Sequence, residues 1–276
     1  MNLQSTTTLN NAVKMPRVGL GVYKMEEGSD VKEAVLSAID IGYRSIDTAS
    51  FYKNEEGVGQ ALKETSVPRE ELFVTTKVWN DEQGYEETLA AFERSMEKLG
   101  LEYLDLYLIH WPVPGKYKET WKALEKLYKD GKVKAIGVSN FLEHHLEDLL
   151  EDAVIKPVVD QVELHPRLAE PALRDFCTQR DIKVEAWSPL ARGRYFDDEV
   201  LQNLAEKYDK TPAQIILRWD VQHGIITIPK STKPHRQKEN ADIFDFELTS
   251  EEMKQIDELN TGERNGAHPD EFDYNS

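Results

Sequence analysis

The chain has 276 residues, 39% of them hydrophobic, so it can form one large domain or two medium ones with a real core. Its net charge of −17 argues against a protein whose main role is nucleic-acid binding, since such proteins usually present a basic face. The single cysteine, Cys177, excludes an intramolecular disulfide and a cysteine metal cluster.

The N-terminal residues, MNLQSTTTLNN, are polar and lack the basic start and apolar run of a signal peptide. The sequence contains no run of about 18 apolar residues that would predict a transmembrane helix. We therefore expect a cytoplasmic protein that does not bind membranes. Residues TTTLNNAVKMP predict a β-hairpin that turns at Asn10 and Asn11 and closes the N-terminal end of the domain.

Strand and helix patterns then alternate along the chain. Short apolar runs predict strands at 18–23, 43–49, 72–79, 104–111, 133–140, 157–165, 182–189 and 225–231. Amphipathic segments predict helices at 29–41, 54–64, 85–99, 117–130, 142–151, 169–180, two within 198–222, 235–243, and 249–259 after the capping signal TSEE.

Eight strands alternating with helices predict an α/β fold, a (β/α)₈ TIM barrel formed as a single domain over 1–276. The polar tail after 260 is expected to be a short loop near one barrel face. The alternative is a doubly wound sheet, which requires G-x-G-x-x-G after an early strand. The early segment GLGVYKM lacks the third glycine, so the barrel is favoured.

Four polar residues stand at or just beyond predicted strand ends. Asp47 ends the second strand and is followed by Tyr52, Lys77 interrupts the apolar third strand, and His110 ends the fourth. Each has an ordinary alternative explanation, as a helix cap, a rim lysine or a hydrogen-bonded core histidine. Because the C-terminal strand ends of such a barrel converge on one face, where the active site forms, we expect the four to lie together.

Together these residues predict a general acid. A tyrosine has an ordinary pKa near 10, and a nearby ammonium favours the phenolate and lowers that pKa. We expect Asp47 to hold Lys77 as an ion pair, Lys77 to lower the pKa of Tyr52, and His110 to bind a substrate oxygen or relay a proton. Such a site would protonate the alkoxide that forms when a carbonyl accepts hydride.

The segment IPKSTKPHRQKEN, at 228–240, is basic in an acidic chain. Ser231 or Thr232 can cap a helix with Pro234 in its first turn, and a helix N-terminus attracts phosphate. Lys230 and Arg236 would add charge-assisted hydrogen bonds. A phosphate site is therefore favoured over a solvated basic turn.

Three segments resemble the aldo-keto reductase family: GYRSIDTASFYKNEEGVG at 42–59, KAIGVSNF at 134–141 and IPKSTKPHRQKENADI at 228–243. The resemblance implies a (β/α)₈ barrel that binds NADP(H) in extended form without a Rossmann domain. It also implies that Asp47, Tyr52, Lys77 and His110 are the catalytic residues, with Tyr52 as the acid.

The resemblance further implies two sets of binding residues. The cofactor would be held by Ser139, Asn140 and Gln161 at the nicotinamide carboxamide, Trp187 at its ring, Ser188 and Leu190 at the pyrophosphate, Lys230, Ser231, Thr232 and Arg236 at the 2′-phosphate, and Glu239 and Asn240 near adenine. The substrate pocket would be lined by Tyr23, Trp79 and Trp111.

Three features depart from the common family pattern. Asp160 stands where relatives commonly carry asparagine, which would add an acid near the nicotinamide if its side chain points there. Trp187 replaces a tyrosine found in many relatives, a conservative change for stacking. The tail after Gly262 is short, so we expect an open pocket and broad substrate choice.

The motifs resemble the bacterial glyoxal or methylglyoxal reductase and 2,5-diketogluconate reductase branch.

The resulting expectation is an NADPH-dependent reductase of small carbonyl compounds, acting as a monomer and in aldehyde or methylglyoxal detoxification. One alternative is a non-catalytic, cofactor-sensing binding protein on the same barrel. Another is a metal-assisted hydrolase or isomerase that uses Asp160, Glu163 and His165. Only Glu163 and His165 share a strand face, so no metal site is expected.

Overall fold

The computed structural model describes residues 1–274 and contains two sheets. A two-stranded antiparallel sheet comes first, β1 (Thr6–Thr8) and β2 (Lys14–Pro16). The parallel strands that follow are β3 (Leu20–Gly21), β4 (Ser45–Asp47), β5 (Phe73–Val78), β6 (Leu106–Ile109), β7 (Ile136–Ser139), β8 (Val159–Glu163), β9 (Lys183–Trp187) and β10 (Ile226–Thr227). They pair in chain order, and a parallel bridge from Val18 to Thr227 joins the first strand region to the last.

Helices connect the parallel strands, and two more follow the last strand. They are α1 (Ser29–Ile41), α2 (Glu55–Glu64), α3 (Tyr85–Leu99), α4 (Tyr117–Lys129), α5 (Glu143–Asp152), α6 (Pro171–Gln179), α7 (Glu199–Tyr208), α8 (Pro212–Gln222), α9 (Pro234–Ala241) and α10 (Ser250–Asp257). This arrangement confirms the predicted (β/α)₈ barrel. Over residues 1–274, no helix is both long and apolar enough to cross a membrane.

The N-terminal hairpin closes the barrel at the N-terminal ends of the strands, as predicted. Asn10 donates from its amide to the carbonyls of Pro157 and Asp181, which precede β8 and β9. Leu9 and Met15 pack in a cluster with Phe73, Leu106, Leu108, Ala135, Val158, Val159 and Ile226. The N-terminal end of the barrel interior is therefore closed by an apolar cluster, and the site forms toward the opposite mouth.

Asp160 points out of the barrel, toward the helices, because it alternates along β8 with the inward-facing Gln161. Its side chain is fully buried, and within residues 1–274 neither carboxyl oxygen has a hydrogen-bond partner of good geometry, although the Phe141 backbone lies nearby. Burial raises the pKa of Asp160 well above its usual range. The acid that departs from the family pattern thus faces the helices, so the condition for an added acid at the predicted nicotinamide site is not met.

Replacing Asp160 with asparagine should stabilise the protein at alkaline pH. The folded protein keeps a proton on Asp160 that the unfolded chain loses above its ordinary pKa near 4, so wild-type stability falls as pH rises. We expect the melting temperature of Asp160→Asn to exceed wild type by roughly 5 °C at pH 8 and the gap to narrow toward pH 5.

The matched control is Asp197→Asn, which changes an exposed aspartate. Thermal unfolding followed by circular dichroism should give this variant nearly the same melting temperature as wild type at pH 8. Equal melting temperatures for wild type and Asp160→Asn at pH 8, or a gap that does not vary with pH, would contradict a buried, protonated Asp160.

Candidate functional site

The four predicted catalytic residues meet at the C-terminal mouth of the barrel. Asp47 is the last residue of β4, Lys77 lies near the end of β5, and His110 follows β6 directly. Tyr52 comes from a single 3₁₀ turn, Ser50–Tyr52, that follows β4. The Ser50 hydroxyl donates to the Lys77 carbonyl at 3.1 Å, which pins this turn over the neighbouring strand and brings Tyr52 back above Asp47.

Lys77 is held between Asp47 and Tyr52. Its Nζ lies 2.6 Å from Asp47 Oδ1, 2.9 Å from the Thr48 carbonyl oxygen and 3.4 Å from Tyr52 Oη. The lysine is fully buried and Asp47 is 2% exposed. Burial by itself lowers the pKa of Lys77, but Asp47 and Tyr52 outweigh it and raise that pKa above the ordinary value. The ammonium is therefore charged and fixed behind the tyrosine hydroxyl.

The pKa of Tyr52 differs from the sequence expectation. Burial raises it, Lys77 lowers it as anticipated, Asp47 raises it, and the result is a pKa of about 12. The desolvation of the phenol thus outweighs the ammonium, a balance that the sequence could not give. Tyr52 remains protonated throughout the neutral range and can act as a proton donor.

His110 is neutral. Burial, followed by the positive charge of Lys77, lowers its pKa well below the usual range. Its ring lies edge-on to Tyr52, with 5.7 Å between ring centroids, and within residues 1–274 its buried Nδ1 has no hydrogen-bond partner. A neutral imidazole beside the phenol can donate a hydrogen bond to a substrate oxygen or accept one from it.

Gln161 links these groups to an acid that the sequence analysis missed. Gln161 Nε2 donates to Asp47 Oδ2 and to Glu185 Oε2, both at 2.8 Å. Glu185 lies on β9, opposite Gln161 in register, and is 1% exposed. Its position inside the strand run IKVEAWSP was a usable signal, since a carboxyl in an apolar strand is costly to bury without a partner.

Ser139, Asn140 and Trp187 form one hydrogen-bonded group across three strands. Ser139 Oγ donates to the backbone carbonyl of Gln161 at 2.7 Å. Asn140 donates to the His110 carbonyl at 2.9 Å, and its Oδ1 accepts from Trp187 Nε1 at 2.9 Å. Asn140 has a φ of 62°, in the left-handed region that asparagine tolerates better than most residues. The group thus bonds to the backbone of His110 and Gln161, and its place at the nicotinamide stays a prediction.

The three aromatic residues predicted to line the substrate pocket surround the site. Two further aromatic residues, Phe51 and Phe272, stack on them. Tyr23 lies 4.9 Å from the Tyr52 ring and is 42% exposed. Trp79 stacks on Phe51 at 3.8 Å, and Trp111 stacks on Phe272 at 4.5 Å. Phe51 stood within the segment already singled out as catalytic. Phe272 had no sequence signal, because only the path of the tail brings it to the mouth.

The C-terminal tail crosses the barrel mouth, so the pocket is less open than expected. The Glu163 carboxylate accepts backbone N–H groups of Asn265 and Gly266 at 2.7 and 2.9 Å. His165 Nε2 lies 3.1 Å from the same carboxylate. Glu163 and His165 thus hold the tail, and Asp160 lies on the other side of β8. The three residues of the metal-site hypothesis do not come together.

A cleft of about 640 Å³ runs from β9 toward α9 and gathers the remaining predicted cofactor residues. Its lining includes Ser188, Leu190, Lys230, Ser231, Thr232, Arg236, Glu239 and Asn240. In residues 1–274, Lys230 and Arg236 form no ion pair with a carboxylate, so their charges are available to an anion. Glu239 is partly engaged, accepting a hydrogen bond from Thr211 Oγ1 at 2.9 Å.

The donor set of this cleft fits a phosphorylated ligand. Lys230 and Arg236 are exposed cations, and α9 begins at Pro234 within the same segment. The cleft starts at Ser188, next to Trp187 at the mouth, so an elongated ligand can reach from the basic end to the predicted catalytic residues. These features suit a dinucleotide with an additional phosphate on its ribose.

Comparisons with known proteins agree with this geometry. A model described as the Aldo/keto reductase family matches residues 17–261. Glyoxal reductase of Bacillus subtilis (strain 168) is 64% identical over 271 residues, 98% of each chain. Methylglyoxal reductase DkgA of Escherichia coli (strain K12) is 48% identical over 262 residues, 94% of each chain. The crystal structure of a Gox0644 mutant in complex with NADPH has a TM-score of 0.94 and 46% identity, covering 98% of this chain and 99% of that one.

Proposed function

The chain belongs to the aldo/keto reductase family, and on that premise we propose that it reduces small aldehydes and ketones to alcohols with NADPH. The observation that carries this proposal is the buried Lys77 ammonium, 2.6 Å from Asp47 and 3.4 Å from the Tyr52 hydroxyl, beneath an aromatic pocket. A charged lysine fixed behind a protonated phenol is suited to proton donation to an oxygen that gains negative charge.

When bound, NADPH supplies the hydride that reduces the carbonyl carbon. The residues of this chain bind the carbonyl oxygen and supply the proton. Tyr52 Oη donates its proton to the substrate oxygen as negative charge develops there, and the Lys77 ammonium stabilises the phenolate left behind. His110, neutral and edge-on to Tyr52, orients the substrate oxygen by a hydrogen bond. Solvent returns a proton to Tyr52 after product release.

The cofactor would lie along the cleft between β9 and α9. Ser139, Asn140 and Gln161 would hold the nicotinamide carboxamide and Trp187 the ring. Ser188 and Leu190 would contact the pyrophosphate, and Glu239 and Asn240 would lie near adenine. The 2′-phosphate would be bound by Lys230, Ser231, Thr232 and Arg236, which line the far end of the cleft. Crystal structures of similar proteins in complex with NADPH support NADPH as the cofactor.

The substrates would be small carbonyl compounds such as glyoxal and methylglyoxal, together with aromatic aldehydes. The names of the Bacillus subtilis and Escherichia coli relatives support the dicarbonyls. The aromatic pocket formed by Tyr23, Phe51, Trp79, Trp111 and Phe272 supports a planar aromatic group through ring stacking. Keto sugars, which are more polar, are the third class to test.

A substrate panel tests the proposal. Glyoxal, methylglyoxal, benzaldehyde-type aldehydes, aldoses and keto sugars would each be mixed with NADPH and enzyme, and NADPH consumption followed at 340 nm. Steady turnover on at least one class is expected. If NADPH binds but none of the compounds is reduced, the alternative of a non-catalytic, cofactor-sensing protein replaces the reductase. A cytoplasmic monomer remains our expectation, and size-exclusion chromatography checks the oligomeric part.

Replacing both Lys230 and Arg236 with alanine should reduce the preference for NADPH over NADH. These cations would contact only the 2′-phosphate, which NADH lacks, and charge-assisted hydrogen bonds contribute about 1.5–3 kcal/mol each. We expect KM for NADPH to rise by about 100-fold or more while KM for NADH changes little. Lys238→Ala, a change on the same helix outside the cleft lining, is the control. An unchanged NADPH preference would place the phosphate elsewhere.

A further inference from the structure

A chain of hydrogen bonds crosses the barrel interior beneath the mouth. Lys77 on β5 donates to Asp47 on β4, and Gln161 on β8 donates to both Asp47 and Glu185, the latter on β9. All four side chains are buried, with exposures between 0 and 2%. The reaction proposed above uses Lys77 and Asp47 directly and gives Gln161 a place at the carboxamide, but it leaves Glu185 without a role.

We propose that Glu185 is a positioning residue for the reductase reaction, an inference that rests on the function proposed above: its carboxyl fixes the Gln161 amide, and Gln161 fixes Asp47 and the Lys77 ammonium behind Tyr52. The argument begins with the amide. Gln161 Nε2 carries two N–H donors, and Asp47 and Glu185 accept one each at 2.8 Å. A flipped amide would turn its carbonyl oxygen toward the Asp47 carboxylate, which is unfavourable.

This orientation affects both neighbours of Gln161. On one side, Asp47 Oδ2 is held by Gln161 while Asp47 Oδ1 holds Lys77, so the carboxylate cannot rotate without breaking a buried hydrogen bond. On the other side, the Gln161 carbonyl oxygen is left as the acceptor available to the N–H group of a carboxamide. Loss of the Glu185 acceptor would free the amide to turn and loosen both interactions.

The charge of Glu185 matters as well as its position. Burial, and then the negative charge of Asp47, raises the pKa of Glu185 to about 8, while Gln161 and Lys77 act in the opposite direction. The charged groups that act on it are Asp47 on β4 and Lys77 on β5, and its register partner on β10 is the apolar Ile226. At neutral pH Glu185 is mostly protonated, so the Lys77 charge is matched by Asp47 alone.

Ionisation of Glu185 would add a second negative charge to this network. The additional charge would favour the protonated phenol of Tyr52 and make it a weaker acid, so proton donation to the substrate would slow. A raised pKa places this change in the alkaline range, below the range in which Tyr52 itself would lose its proton, since the pKa of Tyr52 is about 12. Ionisation of Glu185 should therefore cause a separate fall of kcat in the alkaline range.

Two substitutions separate the effect of the hydrogen bond that Glu185 accepts from the effect of its charge. Glu185→Gln keeps an oxygen acceptor for Gln161 but cannot ionise, whereas Glu185→Leu removes the acceptor. Asp160→Asn is the matched control, since Asp160 is a buried acid on the adjacent strand that faces the helices instead of the barrel interior. Measurements are kcat for methylglyoxal from pH 6 to 9.5, and the Kd of NADPH from quenching of tryptophan fluorescence at pH 6.5.

We expect wild-type kcat to fall about 10-fold between pH 7 and 9.5, with a midpoint near pH 8, and the Asp160→Asn profile to match it. Glu185→Gln should have a flat profile over this range and a kcat within about 3-fold of wild type at pH 6.5. Glu185→Leu should lower kcat and weaken NADPH binding, each by about 10-fold.

The proposal would be overturned if kcat of Glu185→Gln fell at alkaline pH with the same midpoint as wild type. It would also be overturned if Glu185→Leu bound NADPH as tightly as wild type. If Glu185→Leu fails to fold, the Glu185→Gln profile still decides. Failure of the proposed function looks different: wild type would then reduce no carbonyl compound at any pH. In that case the NADPH affinities of wild type and Glu185→Leu still test whether Glu185 positions Gln161.

Discussion

Replacing Tyr52 with phenylalanine is expected to lower kcat for carbonyl reduction by about 10²–10⁴-fold, the usual contribution of a general acid. The substitution removes only the hydroxyl that lies 3.4 Å from Lys77 Nζ and leaves the ring that packs edge-on to His110. NADPH binding should therefore stay within about 2-fold of wild type. Single-turnover reduction, measured by stopped-flow absorbance with saturating NADPH, isolates the chemical step.

Tyr23→Phe is the matched control for this prediction. Tyr23 is a second tyrosine at the same mouth, with its ring 4.9 Å from that of Tyr52, but it is 42% exposed, and the lysine beside it, Lys24, lies over its ring at 5.4 Å from the centroid. Its loss should change kcat by less than about 3-fold. If Tyr52→Phe keeps wild-type turnover, or if both tyrosine variants lose activity equally, Tyr52 is not the proton donor.

The second large effect is expected for Lys77→Met. The substitution removes the ammonium that stabilises the Tyr52 phenolate and leaves the Asp47 carboxylate buried at 2% exposure without its ion-pair partner. We expect kcat to fall by about 10²-fold or more. The free energy of unfolding should fall by about 3–5 kcal/mol, the typical cost of an uncompensated buried charge. Urea unfolding at pH 7 and single-turnover kinetics measure the two effects.

A double variant separates the two effects of this substitution. Asp47→Asn combined with Lys77→Met removes both buried charges, so much of the lost stability should return while activity stays low. Lys32→Met is the surface control, because the Lys32–Glu64 pair is 28% and 52% exposed and should contribute less than about 1 kcal/mol. Recovery of activity in the double variant would show that Lys77 acts through stability alone.

The elements of the barrel were predictable because their signals are local. The helices predicted at 29–41 and 85–99 coincide with Ser29–Ile41 and Tyr85–Leu99. The predicted strands are longer than the observed ones, as at 104–111 against Leu106–Ile109, because an apolar run continues past the last residue that pairs with a neighbouring strand. Apolar periodicity depends on neighbouring residues, whereas strand length depends on the twist and closure of the sheet.

The approach of the predicted catalytic residues to one another was also predictable, through topology. Once eight strand–helix units are recognised, parallel strands must place their C-terminal ends on one face, so Asp47, Lys77 and His110 had to approach one another. The substrate pocket was only partly predictable from the sequence. Trp79 and Trp111 stand at strand ends, whereas Phe272 reaches Trp111 through the C-terminal tail. The path of that tail is set by its hydrogen bonds to Glu163, which lies 102 and 103 residues earlier in the sequence.

The barrel, the polar residues at its mouth and the basic segment at 228–240 could be predicted from the sequence alone, since each follows from periodicity, strand order or local charge. The electrostatics of the site depend on the folded chain. Folding turned Asp160 outward, brought Glu185 to Gln161, and raised the pKa of Tyr52 to about 12 although Lys77 lies beside it. The physical reason is desolvation: the cost of burying a charge depends on every atom that excludes water, and those atoms come from distant parts of the chain.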